Sequence, residues 1–276
     1  MRILVTGGTG HLGRAIVSGL RGEGHRVRVL ARRPGFDPGV EWAAGDLATG
    51  EGIGDAVAGV DAIVHAATNS PAARRGRLRV ADLVHSPADV DVVGTRALLA
   101  AAEAAGVARF VHVSIAGLEH MKALGYTRRK LEAEEIVRGS LIPSAIVRAT
   151  GFYWLLERLF AGVAEQRVLA APAHVSMAPV DSDEFAAFVV DGLLAGRTGA
   201  ETFAGPETLT LVELLEQYLD ARGHPRRIRR APVPRRLQRA LTAGSTAPGA
   251  PRGTTTWAQW LARRDAGGPA ELPLAA

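Results

Sequence analysis

The sequence predicts an α/β fold in which a doubly wound parallel sheet is covered by helices on both faces. Three observations carry this. The chain opens on an apolar run, Ile3-Leu4-Val5, that breaks into glycines at Gly7, Gly10 and Gly13. Strand-like and helix-like segments then alternate as far as residue 148. And 276 residues at 47% hydrophobic content can bury one sizeable core.

The elements follow in order. Ile3-Leu4-Val5 reads as a buried strand, and Leu12, Ile16 and Leu20, four apart, share one face of the next helix. Arg26–Ala31 is a second strand ending at Arg32-Arg33-Pro34, and residues 41–45 a short third closing at Asp46-Leu47. A short helix near 55–58 leads to a fourth strand, 61–65, followed by Ala66, Ala67 and Thr68. Residues 69–87 hold two prolines and four arginines without periodicity and read as a long loop. Residues 89–105 have a helical apolar period that stops at Gly106, a C-terminal cap. A fifth strand, 109–113, ends in Ser114; a helix spans 126–138 with Gly139 after it; a sixth strand spans 144–148.

Beyond Gly151 the alternation weakens. Helices are predicted over 152–163, Ser182–Leu194 and Leu211–Ala221, with short strands near 177–180 and 201–204. These form a smaller lobe over the carboxyl ends of the strands, where ligands bind in open α/β sheets. The expected division is a sheet-bearing domain over 1–150 and a smaller lobe over 151–276, packed as one unit. The Gly-, Pro-, Ser- and Thr-rich stretch 242–256 reads as a loop or mobile linker, and Trp257-Ala-Gln-Trp-Leu261 re-docks a final helix. Asp181, Asp183 and Glu184 read as the cap of the helix that follows them.

Strand, glycine turn and helix start make an anion site, because free backbone N–H groups and the helix dipole point at the same place. Gly7 permits the tight turn, Gly10 the close approach of a pyrophosphate, and Gly13 the packing of helix on strand. Thr9, His11 and Leu12 complete the loop; at His11 the backbone N–H matters more than the ring.

Composition excludes several classes. No run of about eighteen apolar residues is present, so no membrane span is expected, and no signal-peptide pattern precedes the glycines. With zero cysteines there are no disulfides, thiolate metal sites or cysteine nucleophile. The eight histidines show no HxxxH or HxH spacing, so no metal is expected. The net charge of +5 invites a nucleic-acid partner, but the clusters Arg74-Arg75-Gly-Arg77-Leu-Arg79 and 226–236 lack interleaved aromatics or a finger pattern. A soluble cytoplasmic protein acting on a small molecule, with no nucleic acid or membrane partner, is the expectation.

Tyr126-Thr-Arg-Arg-Lys130 stands twelve residues after Ser114. Its spacing puts Tyr126 and Lys130 one turn apart on one helix face. A tyrosine with a reference pKa of about 10 is a poor acid–base group at neutral pH, and a nearby ammonium stabilises its phenolate. Lys130 is one of only two lysines, with Lys122, among 33 basic residues. The aromatic run Phe152-Tyr153-Trp154 has two readings of equal weight: packing between lobes, or an apolar wall for an aromatic or polycyclic substrate.

The GxxGxxG spacing resembles the short-chain dehydrogenase/reductase (SDR) superfamily, especially its extended and atypical branches. That resemblance implies a Rossmann fold, an NAD(P) cofactor, and a catalytic set of Ser114 on the substrate oxygen, Tyr126 as proton donor and Lys130 on the nicotinamide ribose. Arg32 and Arg33 stand where an NAD-preferring relative carries an acid, and a guanidinium there can pair with a 2′-phosphate, which implies NADP(H). Asp46 and Leu47 fall where related proteins hold the adenine, and Ala66, Ala67 and Thr68 complete the cofactor-binding set. Val93-Gly94-Thr95 with Leu98-Leu99 resembles the family's NVxGTxNLL helix, but Asp91 stands in place of its asparagine. Val113-Ser-Ile-Ala-Gly117, Lys130-Leu-Glu-Ala-Glu134 and the segment from Ile142 to Phe152 resemble the NmrA-like group, as do Gly205-Pro206 and Gly253-Thr-Thr-Thr-Trp257. The group holds both reductases and cofactor sensors. Two functions are therefore carried forward: an NADPH-dependent carbonyl reductase, and an NADP(H) sensor that meets a protein partner or a second copy.

Overall fold

The computed structural model describes residues 1–70, 87–122 and 125–265. The loop expected over 69–87, with its arginine cluster, lies almost wholly outside the described residues. Strands β1 (Arg2–Thr6), β2 (Arg26–Ala31), β3 (Glu41–Ala44), β4 (Ala62–His65), β5 (Arg109–Ile115), β6 (Ser144–Ala149) and a later strand, Gly199–Phe203, form one seven-stranded sheet. Every neighbouring pair in it is parallel. The order 3-2-1-4-5-6 with Gly199–Phe203 outside β6 reverses direction between β1 and β4, the point where a doubly wound sheet opens a crevice.

The two faces are apolar for different helices. Helix α1 (His11–Gly22) lays Leu12, Ile16, Val17 and Leu20 on Ile3, Val5 and Val29, alongside Phe185, Val189 and Leu193 of the helix Ser182–Leu194. On the opposite face lie α2 (Ile53–Val57), α3 (Thr95–Ala104) and α4 (Gly125–Arg138), which cover Leu4, Ile63, Phe110 and Ile146. A π-helical turn, Asp89–Gly94, leads into α3, with the Val93 N–H reaching the Ala88 carbonyl at 3.0 Å. Such turns are concentrated at functional sites.

The smaller lobe comprises α5 (Tyr153–Ala164), β7 (Leu169–Pro172), β8 (Ser176–Met177), then, after the return to the sheet as α6 (Ser182–Leu194) and β9 (Gly199–Phe203), β10 (Leu209–Thr210), α7 (Leu211–Ala221), β11 (Ile228–Ala231), α8 (Arg235–Thr246) and α9 (Trp257–Asp265). Its core gathers Tyr153, Leu156, Phe160, Leu215, Tyr218, Trp257 and Trp260. Two expectations change here. The segments 182–194 and 201–204, placed by sequence in the smaller lobe, belong to the sheet: β9 pairs with β6 and α6 packs beside α1. The intervening excursion 151–181 hides what is otherwise one more crossover. The stretch 242–256, expected to be a loop or mobile linker, is a loop only from residue 247 onward. Helix α8 runs through it to Thr246, because Gly244 lets it seat on Gly117, where a Cβ on Gly117 would come 1.8 Å from the Gly244 Cα. The rest is bonded down: the Ala204 N–H to the Pro251 carbonyl, the Gly253 N–H to the Ala204 carbonyl, and the Thr254 and Thr255 N–H groups to the Glu184 carboxylate.

Trp257 closes the lobe. It is fully buried and its indole N–H donates to the Leu214 carbonyl at 3.0 Å. Trp257→Ala is expected to cost about 3–5 kcal/mol, read as a fall in the denaturant midpoint; an unchanged midpoint would show that the lobe contributes nothing to folding.

Candidate active site and cofactor cleft

The first part of the site is the turn from β1 into α1. Gly7 has φ +73°, and a Cβ there would lie 2.7 Å from the Ala67 nitrogen. A Cβ on Gly13 would lie 2.0 Å from the Gly7 carbonyl oxygen. The Gly10 N–H donates to that same oxygen at 2.9 Å. Ala66 and Ala67 thus press on the loop from the end of β4, and Thr9, Gly10 and His11 form its outer side, while Leu12 turns into the core. Gly10 is the N-cap of helix α1, which has no side-chain cap and no acid in its first turn, an electrostatic setting that favours an anion.

Arg32 and Arg33 are exposed just past the end of β2, the strand next to β1. Asp46 accepts from the Ala48 N–H at 2.9 Å, closing its own turn, and Leu47 is buried in the core below α3. A bare glycine cradle, an acid-free helix start and neighbouring guanidinium groups suit a dinucleotide phosphate.

The second part lies across the crevice. Helix α4 carries Tyr126 in its first turn and Lys130 one turn on. Lys130 is only 2% exposed; its Nζ donates to the Val113 carbonyl at 3.0 Å and lies 3.5 Å from Asp91 Oδ1. Asp91, in the π turn, also accepts from the Thr68 hydroxyl at 2.7 Å and the Asn69 N–H at 3.0 Å. Because the Thr68 proton is committed to Asp91, the 3.0 Å contact between Thr68 Oγ1 and Tyr126 Oη has Tyr126 as donor. No hydrogen bond joins Tyr126 directly to Lys130; Thr68 and Asp91 link them. Burial first, and then the Asp91 anion, push the Tyr126 phenol above its ordinary value, against a smaller pull from Thr68 and Ser70.

Ser114 makes no hydrogen bond to Tyr126. It is buried and makes no well-aligned hydrogen bond, yet lies close enough to help hold the Glu134 carboxylate ionised. Glu134 is fully buried, so desolvation opposes its charge. Arg148 at 2.9 Å, then Ser114 and Arg138, outweigh that and keep its pKa below the usual carboxylate range.

The aromatic run separates. Phe152 stands edge-on to Phe185 at 5.4 Å, and Tyr153, 1% exposed, donates its hydroxyl to the Thr255 carbonyl. Both are engaged in packing. Trp154 is different: its indole stacks on the His11 ring at 4.9 Å, over the glycine loop.

A family model described as NAD(P)H-binding matches residues 7–193. The chain belongs to this NAD(P)H-binding family. It is 28% identical over 244 residues to the photosystem II assembly factor Ycf39 of Cyanophora paradoxa, covering 84% of this chain and 72% of that protein. It is also 35% identical over 176 residues to the 2-alkyl-3-oxoalkanoate reductase of Stenotrophomonas maltophilia, covering 62% of this chain and 46% of that one. Its fold is similar to that of the Bordetella bronchiseptica enzyme WbmG in complex with NAD and UDP, with a TM-score of 0.72 at 16% identity over 97% of this chain and 96% of that chain. The expected NAD(P)-binding family and Rossmann-like fold therefore hold. Among the described residues of this NAD(P)H-binding protein, no cluster of three His, Asp or Glu side chains could hold a metal, and no helix is long and apolar enough to cross a membrane.

Sequence reasoning missed a buried histidine pair under the crevice. Thr95 donates to the Asp91 carbonyl at 2.7 Å, so it accepts from His65 Nε2 at 2.9 Å. His65 Nδ1 then accepts from Thr6 at 2.6 Å, which fixes a neutral tautomer. His112, also fully buried, lies 5.2 Å from it and has neither ring nitrogen bonded. The only sequence signal was their matching position in paired strands β4 and β5.

Desolvation, with Lys130 adding to it, pushes His65 down to about 3 and His112 well below its ordinary value. The unfolded chain protonates both below about pH 6.5, so it binds more protons there and stability falls as pH drops through 6.5. The expected slope is about 1.4 kcal/mol per pH unit for each histidine. Thermal melts at descending pH test this: His112→Leu is expected to flatten the slope, and melts that rise on acidification would contradict it.

Proposed function

We propose that this NAD(P)H-binding protein is an NADPH-dependent reductase of a carbonyl on a small molecule. The observation that carries the reading is Tyr126, set across the crevice from the glycine loop and tied through Thr68 and Asp91 to the buried Lys130. The relative named as a reductase supports the same reaction class.

NADPH when bound supplies the hydride. Gly7, Thr9, Gly10, His11, Leu12 and Gly13 would hold its diphosphate and Arg32 with Arg33 its 2′-phosphate, with Asp46, Leu47, Ala66, Ala67 and Thr68 around the rest. Tyr126 protonates the substrate oxygen, Lys130 gives the local positive charge, and Ser114 polarises the oxygen to the extent that it turns from Glu134.

Calorimetry is expected to show tighter binding of NADPH than NADH. The double change Arg32→Ala, Arg33→Ala is expected to weaken NADPH by about tenfold and leave NADH unchanged; equal wild-type affinities would remove the preference. Tyr126→Phe is expected to lose about 10²–10⁴-fold in turnover with NADPH binding intact, and Ser114→Ala to lose less. Full turnover in Tyr126→Phe would remove Tyr126 from the reaction.

A second reading has one observation in its favour. Asp91 already occupies the Lys130 ammonium, as suits an NADP(H) sensor in which occupancy alters a protein contact, and the Ycf39 relative is named an assembly factor. The exposed arginines Arg227, Arg229, Arg230, Arg235 and Arg236 would meet an acidic partner or a second copy. A sensor must bind the two cofactor forms differently, since equal binding shifts no equilibrium. NADP⁺ and NADPH affinities measured beside a carbonyl and quinone screen separate the two. Turnover lost in Lys130→Ala favours the reductase; silence with unequal affinities favours the sensor.

A further inference from the structure

The charge of this chain is unevenly placed. From Ala221 to Arg264 there are eleven arginines and no acidic residue, while the whole chain carries only +5, so everything outside that stretch is net negative. Several of these arginines are engaged. Arg222 and Arg264 pair with Glu157 and Arg263 with Asp181, Arg252 donates to the Gly205 carbonyl, and Arg230 lies near Glu213. Arg227 and Arg229, at β11, and Arg235, Arg236 and Arg239, in α8, are exposed and meet no acid among the described residues.

A groove of about 690 Å³ opens where this run begins, lined by Ala164, Tyr218, Leu219 and Pro225 between Arg222 and Arg226. Its walls are held from within the chain. Arg222 is tied to Glu157 and lies over the Tyr218 ring, and Arg226 donates to the carbonyls of Ala164, Gln166 and Arg167 at the end of α5. Apolar side chains in a fixed concavity beside unneutralised cations suit an apolar group flanked by anions.

The border of the patch decides which anions. Glu213, Glu216 and Asp220 are exposed along α7, the helix that packs on β11. A continuous phosphate backbone or a flat anionic bilayer would meet these carboxylates, whereas a protein segment sets its acids at single positions and can spare them. Single-strand binders also need open aromatic faces, and Tyr218 is only 6% exposed beneath Arg222. Lipid insertion needs an apolar helix face, and Leu237 is the one exposed large apolar residue of α8.

We propose that this groove, with Arg227, Arg229 and the arginines of α8, docks an acidic segment of a partner protein, one apolar side chain seated between Arg222 and Arg226 and the flanking carboxylates on the free guanidinium groups. The proposal rests on the sensor reading above, to which it adds the chemistry of the partner. Exposed ion pairs contribute little each, so the arginines steer and the buried apolar group holds.

The probe is a fluorescein-labelled peptide of glutamates around a central leucine, titrated against the full chain by anisotropy. Saturable binding is expected, falling as salt rises. Replacing the leucine by serine is expected to weaken it about tenfold. The double change Arg227→Ser, Arg229→Ser is expected to weaken it about fivefold with the thermal midpoint unchanged. No binding, equal affinity for the leucine and serine peptides, or an unaffected double variant each overturns the proposal. So does tighter binding of oligothymidylate or of phosphatidylserine vesicles. Repeating the titration with saturating NADP⁺ and NADPH keeps the two claims apart. Equal peptide binding in both supports the docking site and removes the sensor reading; loss of peptide binding in all conditions overturns the docking site, and the sensor reading is still judged by the two cofactor affinities.

Discussion

The buried pair of Lys130 and Asp91 holds the carboxyl end of the sheet together. Four stretches of chain meet on it: the exit of β4 through Thr68 and Asn69, the π turn through Asp91, β5 through the Val113 carbonyl, and α4 through Lys130 itself. Removing one partner of such a pair costs about 3–5 kcal/mol, because the other is left charged and dry. The pair also bounds the chemistry. For the ammonium to serve a ribose, Asp91 must stay satisfied without it. The Thr68 hydroxyl and the Asn69 N–H already give that carboxylate two hydrogen bonds, so it is not stranded when the ammonium turns away.

Much of this was legible in the chain, and the legible parts share a cause. The strands β1, β4, β5 and β6 are largely apolar, buried runs, Gly7 marks where β1 stops, and Gly106 and Gly139 mark where α3 and α4 stop. The capping role of Asp181, which accepts from the Asp183 N–H at 3.0 Å, is likewise local. What could not be read is set by distance in sequence. Asp91 was noticed as a departure from a pattern, but its partners lie 23 and 39 residues away, at Thr68 and Lys130. Ser114 has the expected strand position, yet the direction of its hydroxyl depends on Glu134 and Arg148, which no spacing links to it.

The smaller lobe shows the same division. Its helices α5, α7 and α9 carry ordinary apolar faces and were foreseen, and Thr210 with Glu213 makes a reciprocal cap at the start of α7. In the run rich in small residues after residue 241 the loop from 247 was foreseen but the helical turn over 242–246 was not, because composition reports what a backbone permits and not what it touches. Gly244 serves contact here rather than flexibility.

The ends of the sheet have a consequence of their own. An unprotected outer strand offers free N–H and C=O groups to any passing chain. Here one border, β3, is four residues long, and its Glu41 is clasped by Arg28 and Arg2. The other, β9, bears Glu201 in an ion pair with Arg197, and its continuation at Ala204 is bonded on both sides of the peptide to Pro251 and Gly253. Arg252 fastens that graft to the Gly205 carbonyl at 2.7 Å. Residues 251–253 therefore stop the outer strand at its carboxyl end, where a second copy would otherwise extend the sheet.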